Sequence, residues 1–303
     1  MTFTVHPVPS MGAEDVVVGP DGTVWTGTED GAIWALDPTT RSTRRVSDTG
    51  GRPLGIELLG DHLLVCDADR GLLRVDPGSG TVDVVLDRVD GRPMRFCNNA
   101  AVAADGTNWF SDSSLHHGVV QWKEDFVQDT RTGRLMRLDT DGTLTVVLDG
   151  LAFANGVALA ADGSYVCVAE TRGRTVVRLW LTGPRAGERD LLASDLPGYP
   201  DNISRGSDGL IWVTIASPVD GLVERLGSAP LPLRKAITRI PEALQPKPKR
   251  TIRVQAYADD GRLVHDVDID HPGYHMVTGV REHDGRVWMG SLHEPSVAVY
   301  DLS

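Results

Sequence analysis

Four oxygen-bearing side chains recur at one offset in this chain. Glu14, Asn98, Asn155 and Asp201 each stand seven residues ahead of the aspartate of an Asp-Gly turn, at Asp21, Asp105, Asp162 and Asp208. Two residues after each comes an apolar one, Val16, Ala100, Val157 or Ile203. The same phase in two further units, read from Ile56 and Val280, selects Leu54 and Thr278. If such positions converge, two carboxylates and two amides share one desolvated place, which is costly to bury without a cation. An all-oxygen donor set suits a hard ion, calcium rather than zinc or copper. One Asx residue at the start of a strand is ordinarily a turn cap; four at a single offset point to a metal. Calcium bound there would act as a Lewis acid on an ester or lactone carbonyl. Asp201 is the candidate general base and Glu14 the anchor of the ion.

The elements that must bring these residues together are short strands. DGTVWTGT from Asp21, DGTNWFSD from Asp105, DGSYVCVAE from Asp162, DGLIWVTI from Asp208 and DGRVWMGS from Asp284 repeat one theme, and GDHLLVCD from Gly60 is a looser copy. An Asp-Gly turn between apolar runs signals a hairpin. Second and third runs follow, such as GLLRVD and TVDVVLD, so that each unit offers about four strands. Six such units predict an all-β fold, a six-bladed β-propeller with a central metal site, as one domain over residues 1–303. First strands of the blades line the channel, where equivalent positions meet. The run Thr2–His6 is expected to close the ring against Val297–Leu302, since a free edge invites aggregation. Insertions at about 113–132 and 218–250 each follow a turn-initiated strand and are expected to rim the pocket on one face, with helix mainly in the second. Tryptophans 25, 34, 109, 180, 212 and 288 recur at matching strand positions and read as packing between blades.

Composition narrows the partners. The 303 residues carry 42 acidic and 30 basic side chains, a net charge of −12, which disfavours nucleic acid. Only the stretch 225–253 is basic, with eight Lys/Arg and one acid, Glu242. No run of 18 apolar residues suggests a membrane span. The N-terminus lacks the pattern of a secretory signal, and Cys66, Cys97 and Cys167 are too scattered for a disulfide framework. A cytoplasmic location is the expectation; the oligomeric state is left open.

The segments GAEDVVV, RFCNNAAVAADG, FANGVALAADGSYVCVAET and LPGYPDNISRGSDGLIWV resemble the calcium-dependent six-bladed propeller hydrolases, among them gluconolactonase/senescence-marker proteins, paraoxonases and diisopropyl fluorophosphatase. GTEDGAIWAL, GRPLGIELLGDHLLVCDADRGLLRVD and REHDGRVWMGSL resemble most the strictosidine synthase-like branch. The resemblance implies that Glu14, Asn98, Asn155 and Asp201 hold one catalytic calcium ion. It also shows departures. The paraoxonase histidine pair falls near Leu54 and Ala68, and the glutamate base of strictosidine synthase falls at Thr278. The expected function is therefore a calcium-dependent lactonase or esterase acting on a small molecule. A strictosidine synthase-like condensing enzyme and a non-catalytic binding propeller are its rivals. Candidate substrate-binding residues are His275, Thr278, Trp122, Tyr199 and Asn99, taken from loops and strand starts near the metal positions.

Overall fold

A computed structural model describes residues 2–227, 229–240 and 248–302. The Asp-Gly turns fold as their chemistry demands. At Asp105 the carboxylate accepts the Thr107 N–H at 2.9 Å while Gly106 takes φ 87°, a conformation in which a side chain is strained. The same bond, from the N–H two residues on, recurs at Asp21, Asp141, Asp162, Asp208 and Asp260.

These hairpins build six four-stranded antiparallel sheets, five of them running outward in chain order and the sixth taking its outer strand from the start of the chain. The innermost strands are Val16–Val18, Pro53–Leu59, Cys97–Val102, Ala154–Leu159, Gly198–Arg205 and Val277–His283. Each packs beside the next, and the sixth beside the first, so the sheets form the ring of a six-bladed β-propeller. Closure is made by strand Phe3–Pro7, which completes blade six by pairing with Ser296–Asp301 from Phe3 opposite Tyr300 to Pro7 opposite Ser296.

Six apolar clusters fill the six gaps between neighbouring blades. The repeated tryptophans lie in or against them: Trp212 is fully buried between blades five and six, and Trp288 packs between six and one. All three cysteines are buried and free, Cys66 and Cys97 between blades two and three and Cys167 between four and five.

Both insertions leave their blade between its second and third strands, in blades three and five. The second holds helices α2 (Gly221–Gly227) and α3 (Leu231–Ile237); its residues 228 and 241–247 lie outside the described ones. Contrary to the sequence expectation, the first insertion is also helical, with α1 at Trp122–Gln128. Glu124 and Asp125 stand in its first turn, where carboxylates favour a helix. The three helices pack together, with the Arg234 guanidinium donating to the Gln128 carbonyl at 2.6 Å. No helix among the described residues is long and apolar enough to cross a membrane.

Deleting residues 2–7 strips the outer strand from blade six and bares the edge of Ser296–Asp301. The truncated protein is expected to form soluble aggregates and lose a cooperative melting transition, as read by size-exclusion chromatography and calorimetry. A monomer that melts like the full chain would contradict this account of closure.

Candidate metal centre

The inner strands of blades two to six are broken where they meet the channel, while that of blade one, Val16–Val18, pairs without a break. Pairing to the second strand skips between Pro53 and Ile56, Cys97 and Ala100, Ala154 and Val157, Pro200 and Ile203, and Val277 and Gly279. Such a bulge frees residues from the ladder and re-aims them. The freed residues include Leu54, Asn98, Asn155, Asp201 and Thr278, while Glu14 holds the matching place just ahead of the first strand. Glu14, Asn98, Asn155 and Asp201 all line one cavity of about 590 Å³.

The residue that follows each of these positions alternates around the ring. Odd blades carry Asp15, Asn99 and Asn202; even blades carry Gly55, Gly156 and Gly279. The glycines are required by close approach: a Cβ on Gly156 would stand 2.0 Å from the Ile203 nitrogen, and one on Gly279 2.5 Å from the Asp15 Cα. Asp15 and Asn99 bond between blades, while both polar atoms of the Asn202 side chain are buried without a partner. Asp15 accepts the Ile56 N–H at 3.1 Å and the Asn99 amide at 3.0 Å, and Asn99 Oδ1 accepts the Val157 N–H at 2.8 Å.

Hydroxyl groups on the second strands and the loops after them orient the two asparagines. Asn98 donates its Nδ2 to Ser113 Oγ at 2.9 Å, and Asn155 donates its own to Thr171 Oγ1 at 3.2 Å. Each Oδ1 is left buried without a hydrogen-bond partner, and so is Asp201 Oδ1. Three orphaned oxygens on one cavity are the signature of a missing donor or cation. Burial drives the Glu14 carboxyl up to about 7 although Arg52, at 3.3 Å, pulls it down. Burial, then the charge of Glu14, pushes Asp201 well above the usual carboxylate range. These residues fit an oxygen-seeking divalent ion: carboxylate oxygens from Glu14 and Asp201 and amide oxygens from Asn98 and Asn155 would hold it. Among the described residues no group of three or more His, Cys, Asp or Glu could hold a metal; here half of the donors are amides.

The cavity also brings in Trp122 and Tyr199. Tyr199 is buried, stacks edge-on to Phe126 of α1, and donates its hydroxyl to Glu224 of α2 at 2.9 Å. Three expected pocket residues lie elsewhere. Thr278 is fully buried with its hydroxyl bonded to the Glu14 carbonyl at 2.8 Å, so it braces an anchor rather than facing a ligand. Asn99 spends both ends of its amide on the latches between blades. His275 stands behind the wall, its Nδ1 tied to Glu294, while His293 and Met276 face the cavity instead. Leu54 and Ala68 join Phe96 and Phe153 in an apolar cluster against Trp122 and Val119, so no histidine pair exists at that place.

Of the collar above the metal positions, sequence reasoning found Tyr199 and missed the rest. Two residues before each bulge residue stand Arg52, Phe96, Phe153, Tyr199 and Met276, and all five line the cavity. The same stepping back along the repeat, by two more residues, would have delivered them. Carboxylates at the ends of second strands pin this collar: Asp67 accepts the Arg52 N–H, Asp112 that of Phe96, and Glu170 that of Ala152.

With this geometry in hand, comparison with known proteins gives a coherent picture. Residues 25–226 match the family described as SMP-30/Gluconolactonase/LRE-like region, and residues 9–36 match the strictosidine synthase-like N-terminal family. Protein STRICTOSIDINE SYNTHASE-LIKE 10 of Arabidopsis thaliana is 32% identical over 324 residues, covering 96% of this chain and 85% of that protein. Among solved structures, a gluconolactonase from Xanthomonas campestris superposes with TM-score 0.71 at 16% identity, covering 98% of this chain and 88% of its own. A calcium-binding regucalcin from Agrobacterium tumefaciens superposes with TM-score 0.67 at 13% identity, covering 97% and 90%. At these identities the structural likeness speaks for the fold alone.

Two buried carboxylates make the metal-free protein sensitive to pH. Burial raises Asp15 to about 7, as it does Glu14. A folded carboxyl raised above its unfolded value contributes stability that is full below the unfolded value and lost as pH rises through about 7. With a chelator present, the melting temperature should fall between pH 5 and 8. Calcium at a hundredfold excess over its Kd should restore roughly 2.7 kcal/mol and flatten the Glu14 part of the slope. A melting temperature indifferent to calcium across this range would remove the metal from the account.

Proposed function

The chain belongs to the SMP-30/gluconolactonase/LRE-like family and to its strictosidine synthase-like relatives, and from that premise we propose that it is a calcium-dependent hydrolase of carboxylic esters or lactones. The observation that carries this reading is the set of unpartnered oxygens of Asn98, Asn155 and Asp201 beside Glu14 on one cavity. A calcium ion bound there would supply Lewis-acid polarisation of the substrate carbonyl.

The chain's own residues do the rest. Asp201 carries a buried, unpartnered Oδ1 that would accept a proton from water, and burial makes its carboxylate more basic than an exposed one. Asn98 and Asn155 present their oxygens in fixed directions because Ser113 and Thr171 hold the other ends. Glu14 keeps its place through Arg52 on one side and the Thr278 hydroxyl on its carbonyl on the other. Phe96, Phe153 and Trp122 exclude water from the walls, and α1 and α2 add Phe126, Val127, Leu222 and Val223. A cavity of this size takes a small molecule. Its apolar collar supports substrates with alkyl or aryl groups rather than polyhydroxylated sugar lactones, whose hydroxyls would find few partners on phenylalanine and methionine. The condensing-enzyme reading lacks support here, since Thr278 is committed to Glu14.

The test is a panel of aryl esters, alkyl esters, alkyl-substituted lactones and gluconolactone, assayed before and after chelation and with calcium restored. Hydrolysis of at least one apolar ester or lactone is expected, lost with chelator and regained with calcium. Asp201→Asn should lower kcat by roughly 10²–10⁴-fold. Absence of turnover across the panel, or turnover untouched by chelator, would overturn the proposal.

A further inference from the structure

Arg52 is held more tightly than a counter-ion needs to be. Its N–H donates to Asp67 Oδ1 at 3.0 Å and its carbonyl accepts the Ala68 N–H at 2.8 Å. Its Nη2 meets Glu14 Oε2 at 3.3 Å. Gly12, at φ 68°, leaves room for the guanidinium: a Cβ there would lie 2.8 Å from Nη2 and 2.9 Å from Nη1. The residue is 9% exposed and lines the cavity, yet Nη1 is buried and donates to nothing. A guanidinium fork fixed by one carboxylate and left with a second, unused nitrogen is prepared for another oxygen. Asp69 lines the same wall without bonding it; Arg52 makes its ion pair with Glu14 alone among the described residues. Beyond Glu14 and Asp69 the wall turns apolar, with Leu54 and Ala68 clustered with Phe96 and Phe153.

We propose that Arg52 is the anion-binding group of the pocket, and that its Nη1 takes one oxygen of an apolar monocarboxylate whose chain lies along Phe96, Phe153 and Trp122. The inference rests on the hydrolase reading in one respect: hydrolysis of an apolar ester or lactone leaves such an acid. Capture of that acid makes Arg52 a determinant of substrate class, favouring acyl groups with a hydrophobic chain and of product release as a charged species. Binding is measured without turnover and therefore stands or falls separately.

Sodium octanoate titrated by calorimetry into the full-length, calcium-loaded protein is the probe, with octanamide as its neutral counterpart. The wild type is expected to bind octanoate more tightly than octanamide. Arg52→Met should weaken octanoate by about tenfold or more, the loss expected for a charge-assisted hydrogen bond, and leave octanamide unchanged. Arg52→Lys keeps the charge without the fork and should fall between them; it carries the test if Arg52→Met does not fold. Titration of calcium alone into each variant separates metal loss from anion loss. Octanoate bound equally by wild type and both variants would overturn the proposal, as would equal loss of octanoate and octanamide or a change confined to calcium affinity. Octanoate binding that depends on Arg52 in a protein inert toward every ester would sink the hydrolase reading and leave this one standing. Turnover with octanoate binding indifferent to Arg52 would do the reverse.

Discussion

Burying negative charge on the axis of a closed ring is the constraint on which the rest of this structure depends. Glu14, Asp15 and Asp201 are all withdrawn from water near the channel, and burial is the first cause of the raised pKa of each. Each is answered differently. Asp15 is answered by backbone N–H groups and the Asn99 amide, and by the charge of Arg281 in blade six. Glu14 is answered by Arg52. Asp201 has only dipoles, and its Oδ1 has none. A carboxylate placed this way is costly unless something positive joins it, which is why the site reads as a place for an ion and not as packing.

Geometry for that ion comes from the bulges. A regular inner strand would alternate its side chains between the two blade faces and send none along the axis. Breaking the ladder in blades two to five gives the channel two residues in succession, blade six frees Thr278 alone, and blade one reaches the same place with Glu14 and Asp15 just ahead of its strand. In four blades the first carries donor chemistry, Leu54 and Thr278 being turned to packing and bracing. The second serves the contact between blades, as a bonding side chain at Asp15 and Asn99 or as a glycine that admits the neighbour. This division explains the fate of Thr278 and Asn99. Both stand at bulges, and both were expected to touch substrate; their polar ends instead serve neighbouring backbone and side chains. A linear sequence reports the bulge position through the offset to the Asp-Gly turn, but it does not report which face of the bulge looks into the cavity.

The metal positions and the blades were legible because one spacing repeats, and a repeated local geometry turns into convergence once the ring is known. The collar was less visible for a chemical reason. Apart from the two phenylalanines, Arg52, Phe96, Phe153 and Met276 share no residue type, so their common role shows only in their register two residues ahead of the bulge. Helix α1 was missed because its seven residues offer scarcely two turns of periodicity, and its fold relies on packing of Phe126 against Tyr199 and on Asp125 receiving the Thr130 hydroxyl. His275 was expected to bind substrate from its place before the last inner strand; its pairing with Glu294, nineteen residues on, could come only from the fold.

The alternation of Asp15, Gly55, Asn99, Gly156, Asn202 and Gly279 has a consequence for modularity. Six blades of similar design look interchangeable, yet each odd blade needs an even neighbour whose glycine admits its polar side chain and backbone. The ring is thus built from three couples rather than six units. A recombined propeller that exchanges one blade between an odd and an even place would set glycine against glycine on one side and side chain against side chain on the other. Exchange by twos keeps the parity. The natural unit of duplication, transplantation or circular rearrangement in this architecture is therefore the pair of blades, and a single-blade insertion is barred at the axis before any outer surface is considered.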